Sequence, residues 1–520
     1  MTNQINQRSN RKSYMKKQTY IWLALLMPLL SSCVAKTETE SAAINSIQLE
    51  HSVLSLSKEA TKLHVPWDLQ YDKVNDAILF SEISGSIRKL DIKTKAVTLI
   101  DSLADVYHQR TLGLLGMALY QPEGQQAYLY LSYTSKKDSS IFSNLYRYEY
   151  SPEGKLAHPK LLLQIPGNTG HNGSRVIVST DKKVYWATGD AASDTFAQDS
   201  STLNGKILRL NLDGSIPKDN PIANSYVYAW GFRNMQGLTH DAKGLIYTSE
   251  HGDAIEDEIN LIRPLKNYGW PQIEGMIDTD KEKAIAKRSP RQEPIKSWTP
   301  VVAPSGLAYY GSGVIPEWKH SLLLATLKNQ SLRILKLSAN GQQIVDEKVL
   351  FKDQLGRLRS VLTLPNGDIY FCSSNRDWNP QKGFPKPDDD VIYRLRITDK
   401  ASAPIIKPTT PKAMNNPAKT GQTLYEAYCA SCHKADGKGL NNTFPPLANS
   451  PLVNGNPKDL LQVILHGLKD KHIGGAKYES TMPSFSFLKD EDIVEITNYI
   501  RTHFGNSAST INQQHLTSLR

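Results

Sequence analysis

Lys183-Val184-Tyr185-Trp186-Ala187-Thr188-Gly189-Asp190, followed after a polar interval by Lys206-Ile207-Leu208-Arg209-Leu210, sets two short apolar runs one after the other. Each has the length of a strand, and neither carries the 3.6-residue apolar period of a helix. The pattern recurs along the chain. Runs of the first kind are Ala77–Glu82, Ala127–Tyr133, Lys183–Asp190, Leu245–Glu250, Leu322–Lys328 and Asp368–Asn375, each ending on polar or charged residues. After five of the six comes a second run with an arginine inside it: Ser86–Leu90, Asn144–Tyr148, Lys206–Leu210, Ser331–Leu335 and Val391–Arg396. Glu258–Ile262 repeats the pattern without the arginine. The first runs start 46 to 77 residues apart, a spacing that suits one propeller blade with variable loops. Residues 61–398 are therefore expected to form an all-β, six-bladed β-propeller. With the first run of each blade taken as the innermost strand, equivalent strand ends converge on one face of the channel, where Asp190, Glu250 and Lys328 would meet.

A break in composition follows at Ala401–Pro417, where Pro404, Pro408, Pro411 and Pro417 stand among small and polar residues. Residues 399–418 read as an extended linker. Beyond it the period turns helical, with Leu424, Tyr425 and Tyr428 on one face, then Ile493, Ile496, Tyr499 and Ile500 on another. Within this region Cys429-Ala430-Ser431-Cys432-His433 has the spacing of covalent haem attachment. Two thiols at a helix end can form thioethers to the two vinyls of one porphyrin while the adjacent His433 reaches the iron. Zinc would need a second pair of ligands, and a redox C-x-x-C would not need the histidine. Met482, in Thr481-Met482-Pro483, is the expected second axial ligand, with His466, His472 and His503 as alternatives. Residues 419–506 thus read as a small all-α cytochrome c domain carrying one covalent haem c, and 507–520 as a tail.

The chain has 520 residues and a formal charge of +10. Arg8, Arg11, Lys12, Lys16 and Lys17 all precede the apolar stretch Tyr20–Leu30, and without these five the surplus falls to +5. No basic, aromatic-interleaved stripe is present, so a nucleic-acid partner is not expected. Residues 1–32 have the order of an export signal, and the apolar stretch is too short to span a bilayer. Leu30-Ser31-Ser32-Cys33 resembles a bacterial lipobox, which implies cleavage before Cys33 and acylation of its thiol. Residues 33–60 would then be a tether, and the protein would be lipid-anchored in the cell envelope, facing the periplasm or the outside. Of the four cysteines only Cys372 is left without a task, and its apolar surroundings fit a buried strand.

On the propeller, His171 and Asp190 flank a predicted hairpin that turns near Thr180–Lys182, so they oppose each other at its open end. An imidazole oriented by a carboxylate is what a general base requires, although such pairs are also common as structural hydrogen bonds. Arg233, Lys328, Arg357 and Arg359 come from equivalent strand-end or loop positions and call for an anionic ligand or acidic partners. Glu256, Asp257 and Glu258, beside His251-Gly252-Asp253, offer oxygens to a hard cation.

Five further motifs stand together with these residues: His171-Asn172-Gly173-Ser174-Arg175, Gly205-Lys206-Ile207-Leu208-Arg209-Leu210-Asn211, Gly231-Phe232-Arg233-Asn234-Met235-Gln236-Gly237-Leu238, Asp257-Glu258-Ile259-Asn260-Leu261-Ile262 and Asn267-Tyr268-Gly269-Trp270-Pro271. In this order they resemble the soluble quinoprotein glucose/sorbosone dehydrogenase family. The resemblance implies a propeller that binds pyrroloquinoline quinone (PQQ) and calcium and oxidises an aldose-type sugar. It implies that His171 takes the proton of the anomeric hydroxyl, that Asp190 orients His171, and that Arg233 polarises the quinone oxygen. Asn234, Lys328, Arg357 and Arg359 would hold PQQ, and the backbone carbonyls of Gly252 and Asp253 would hold calcium. Four positions depart from the family: Thr111 for a sugar-binding Gln, Gly170 for an Asp, Phe232 for a His and Asp253 for a Pro. With the cytochrome fused behind it, the chain reads as a sugar dehydrogenase that yields a lactone and passes electrons through its haem to a downstream cytochrome or terminal oxidase. The competing expectation is a propeller that only binds carbohydrate or protein and carries an electron-transfer cytochrome.

Overall fold

Val184–Thr188 is buried on both faces, and the reason is visible in where its alternate side chains go. Val184 and Trp186 pack with Tyr130, Val176 and Leu208, whereas Tyr185 and Ala187 pack with Ile207, Phe232 and Met235. A strand with apolar neighbours on both sides reads as a continuous apolar run rather than an alternating one. In the computed structural model, which describes residues 42–193, 195–411, 420–468, 472–473, 476–478, 480–517 and 519, this holds for blade after blade. Five antiparallel sheets have four strands each, and a sixth has six.

The innermost strands are Pro66–Asp72, Leu114–Tyr120, Gly173–Val178, Met235–His240, Pro304–Tyr310 and Leu358–Thr363, each adjacent to the next around the ring. The runs expected to line the channel are instead the second strand of each blade. Crowding at the axis explains the difference. A Cβ on Gly116 would lie 2.0 Å from the carbonyl oxygen of Ser174 on the neighbouring inner strand, so this position must lack a side chain. Gly237 and Gly306 stand on inner strands as well, and glycine weakens the sequence signature of a strand.

The ring is closed by the chain's beginning. Val53–Ala60 pairs antiparallel with Ile392–Ile397, and Ala43–Gln48 pairs with Val53–Ala60 in turn. Residues 43–60, expected as a tether, are therefore two strands of the last blade. Serines interrupt the sequence here, but Leu54 and Leu56 keep a period of two and are fully buried. The expected linker is also partly fixed. Ile405–Ile406 runs parallel to Ala43–Gln48, and Thr409 bridges to Val349. The export signal, Cys33 and the end of the linker lie outside the described residues. No described helix is long and apolar enough to cross a membrane.

The repeated arginines belong to the third strands. Arg209 pairs with Asp181 and Asp219, Arg333 with Glu347, and Arg394 with Asp368, each with its guanidinium over an aromatic ring.

The C-terminal body is built from Gly421–Tyr428, Ala430–His433, Pro451–Asn454, Pro457–His466 and Asp490–Thr502, with one pair of two-residue strands. Thr420 caps the first helix, and Asp490, Glu491 and Asp492 occupy the first turn of the last, where the helix dipole favours acids. Leu424, Leu461, Ile493 and Ile496 fill its core. Residues 507–520, expected as a tail, contribute Ile511 and Leu516 to that core, and Arg501 donates to the Ser509 carbonyl at 2.8 Å.

Because Val53–Ala60 is the strand that hydrogen-bonds the beginning of the chain into the last blade, Leu56→Ala should cost about 2–5 kcal/mol through the cavity it leaves. Urea denaturation of the variant beside the parent chain measures this.

Candidate redox site at the channel mouth

Gly173–Val178 pairs with Val184–Thr188, and the register brings Gly173 opposite Thr188. Just beyond this open end, His171 Nδ1 meets Asp190 Oδ1 at 2.9 Å. Asp190 is buried and fully engaged: the Ala192 amide donates to Oδ1 at 2.8 Å and the Trp270 indole donates to Oδ2 at 2.7 Å. A carboxylate held this way accepts from Nδ1–H and leaves Nε2 of His171 free to accept a proton. The His171 backbone is in the left-handed region at φ 51°, an uncommon conformation for a non-glycine residue. Its carbonyl comes so close to Gly189 that a Cβ there would lie 1.9 Å from it.

The cations gather on the same rim. Arg233 donates to Asp253 Oδ1 at 2.7 Å and lies 5.2 Å over the Trp270 ring. Arg359 donates to Asp377 at 2.5 Å, and Arg357 faces the same carboxylate at 3.6 Å. The buried Nε atoms of Arg233 and Arg357 have no hydrogen-bond partner among the described residues. Burial and the neighbouring Arg359 both work against the Arg357 charge, while Asp377 supports it. Asn234 accepts from the Gly173 amide at 3.2 Å and so ties this rim to the His171 strand. Lys328 is half-buried beside Asp257 and donates to the Ala427 carbonyl of the C-terminal body at 2.6 Å.

Acids collect on the opposite flank. Burial, and then Glu258, raises Glu250 well above the usual carboxyl range. Burial likewise pushes Glu256, Asp257 and Glu258 up to about 7 and Glu274 up to about 8. Asp253 donates its amide to Glu274, and Gly252 donates its amide to Asp257 at 3.0 Å. Among the described residues no three His, Cys, Asp or Glu side chains form a metal-binding cluster by themselves.

Two residues of this site carried no assigned role in the sequence. Trp270 joins Asp190 to Arg233, and the only signal for it was its motif. His251 lies between Arg233 and Arg359; burial and then these two cations push its imidazole down to about 3, so it is neutral. Phe232, a departure expected beside the substrate, is instead fully buried and stacks on Tyr268 at 4.5 Å. Thr111 is exposed and donates to the Thr169 carbonyl at 3.2 Å, and a side chain at Gly170 would enter open space.

In the C-terminal body, His433 is buried and its Nδ1 meets the Pro445 carbonyl at 2.9 Å. Burial lowers its pKa, so the ring is neutral with Nε2 available to iron. Met482 packs against the core that includes Cys429, while His466 and His503 are exposed. Cys372 is buried, and its thiol donates to the Pro66 carbonyl at 3.1 Å.

A propeller whose rim sets an oriented imidazole among buried cations, joined to a haem-attachment body, is an oxidoreductase with its own electron carrier. Residues 63–379 match the Glucose / Sorbosone dehydrogenase family and residues 418–504 match Cytochrome c. The chain belongs to the glucose/sorbosone dehydrogenase family and carries a C-terminal cytochrome c domain. It is similar to the PQQ-bound aldose sugar dehydrogenase of Streptomyces coelicolor, with 30% identity and a TM-score of 0.58 over 69% of this chain and 100% of that one. It is also 27% identical to quinoprotein glucose dehydrogenase B of Acinetobacter calcoaceticus, over 62% of this chain and 85% of that protein. Aldose sugar dehydrogenase YliI of Escherichia coli K12 is 28% identical over 62% and 91%.

The raised carboxyls fix the sign of a pH effect. They hold protons in the folded chain that unfolded carboxyls release near pH 4.5, so between about 5 and 8 the folded state binds more protons than the unfolded one. In chain stripped of divalent cations, the thermal midpoint should fall as pH rises through this window, and calcium should reduce the fall.

Proposed function

We propose that the chain oxidises an aldose-type sugar to its lactone with bound PQQ and calcium, and that the electrons leave through one covalent haem c. The observation that carries this reading is the His171–Asp190 pair on a rim where the buried Nε atoms of Arg233 and Arg357 have no hydrogen-bond partner among the described residues. Such a rim fits a polyanionic cofactor, and PQQ is a tricarboxylate. The carboxyl oxygens gathered around Gly252 and Asp253 fit a hard divalent cation, which would displace the protons that burial otherwise favours.

In this reading Lys328, Arg357, Arg359 and Asn234 hold PQQ, and the backbone carbonyls of Gly252 and Asp253 hold calcium. When bound, the cofactor supplies an electrophilic quinone carbon that accepts hydride. His171 Nε2 takes the proton of the sugar hydroxyl, Asp190 keeps the imidazole in the required tautomer, and Trp270 keeps Asp190 in place. Arg233 would supply positive charge to the oxygen of the cofactor bound beside it. Cys429 and Cys432 carry the haem, His433 and Met482 bind its iron, and a soluble cytochrome or a terminal oxidase drains it. The export signal and Cys33 support a lipid-anchored protein facing the periplasm or the outside.

Chain reconstituted with PQQ and calcium should show haem reduction in the visible absorption spectrum when aldoses are added. Absence of reduction with every sugar and alcohol tried would refute the reading. His171→Ala should lower the sugar-dependent rate by roughly 10²–10⁴-fold, the range for a general base, and leave dithionite reduction of the haem intact.

A further inference from the structure

The C-terminal body meets the channel rim through the haem-attachment segment itself. Trp378 Nε1 donates at 3.1 Å to the carbonyl of Ser431, between the two attachment cysteines. Its ring centroid lies 5.9 Å from that of Phe444, and the Lys434 ammonium lies 5.3 Å from its centre. Arg110 places its guanidinium 5.9 Å from the Phe444 ring centre, and Ala254, from the loop after Gly252-Asp253, joins the apolar core of the C-terminal body. The charges felt by Cys432 include those of Lys328, Arg110 and Asp253, all on the propeller.

Trp378 is also one residue from Asp377, the carboxylate shared by Arg357 and Arg359. A short path therefore runs from the cation rim through Asp377 and Trp378 to the Ser431 carbonyl. Indole suits such a junction, because it covers a large area with few rotatable bonds and offers one donor to a partner backbone.

We propose that Trp378 is the positioning residue that docks the Cys429–Cys432 edge of the cytochrome onto the rim, and that electrons pass to the haem of the same chain in this docked arrangement. This rests on the sugar-oxidation reading above. Converting one aldose to a lactone releases two electrons and two protons. Ferric haem takes one electron and becomes ferrous, so each turnover needs two reductions of the haem and two reoxidations by an external one-electron acceptor. The hydroxyl proton leaves through His171 to water, and the second proton, which travels with the hydride, would be released to water as the two electrons pass on to the haem. Docking does not seal the site, since the His171 side chain keeps 26% of its exposure.

The test compares Trp378→Ala and Trp378→Phe with the parent as haem-loaded full chain reconstituted with PQQ and calcium. In Trp378→Ala, stopped-flow haem reduction by sugar should slow by roughly tenfold or more, as for an anchor residue at an interface. Sugar-dependent reduction of the small dye phenazine methosulfate should stay at the parent level, which also shows that the variant is folded. Small-angle X-ray scattering should give a larger radius of gyration for Trp378→Ala, and Trp378→Phe should fall between the two. Unchanged haem reduction with an unchanged radius overturns the proposal. If the parent chain itself oxidises no sugar with the dye, the functional reading fails, and an unchanged radius in Trp378→Ala then overturns the docking on its own.

Discussion

The ion pair between Asp68 and Arg175, at 2.5 Å on the channel axis, is the contact on which the rest of the propeller depends. Asp68 also accepts from the amide of Met117 at 2.9 Å and from Ser360 Oγ at 3.3 Å, while Arg175 donates to the Gln236 carbonyl at 3.0 Å. Inner strands from five blades are thus joined through two side chains. Burial raises the Asp68 carboxyl pKa and lowers that of Arg175, so each charge is tolerated only because the other is present. Trp67 lies between Arg175 and Arg359, at 4.3 and 5.7 Å from their guanidinium carbons. A cation of the proposed cofactor clamp therefore rests on the same floor that holds the ring together.

That floor also explains why the proposed base can be strained. His171 keeps its left-handed backbone because its carbonyl accepts from the Ala191 amide at 3.0 Å while its ring is fixed by Asp190. Asp190 is in turn fixed by the backbone of Arg233, whose carbonyl accepts from its amide at 2.8 Å. A local cost of this kind persists only where the surroundings over-determine the geometry. Here they do so through two adjoining blades, so the base and the cation beside it are positioned by one set of contacts.

Much of this was readable in the sequence, for identifiable reasons. Second and third strands lie between two apolar layers, so Lys183–Asp190 and Lys206–Leu210 read as strands at sight. Inner strands were missed because crowding at the axis demands residues such as Gly116, and Val53–Ala60 because serines alternate with Leu54 and Leu56. The pairing of His171 with Asp190 followed from hairpin register alone. Trp270 and His251 did not, because an indole between Asp190 and Arg233, and an imidazole made neutral by burial and by Arg233 and Arg359, are products of tertiary contact. Trp378 is legible only once two separately folding regions are placed together.

The site is divided by charge in a way that bears on what occupies it. Arg357 and Arg359 share the single carboxylate of Asp377, while Glu250, Glu258 and Glu274 crowd together where burial raises their pKa values. Arg233 reaches the acids through Asp253, and Lys328 lies beside Asp257. Buried charge is stable when neutralised locally: the two arginines exceed their one carboxylate, and the crowded acids ionise readily only beside a cation. An anion bound to the arginines and a hard cation beside the acids would correct both at once, and each would favour the other across a distance where buried charges interact strongly. On this reasoning an anion and a cation bound here would bind cooperatively, with the protein's own side chains setting the coupling.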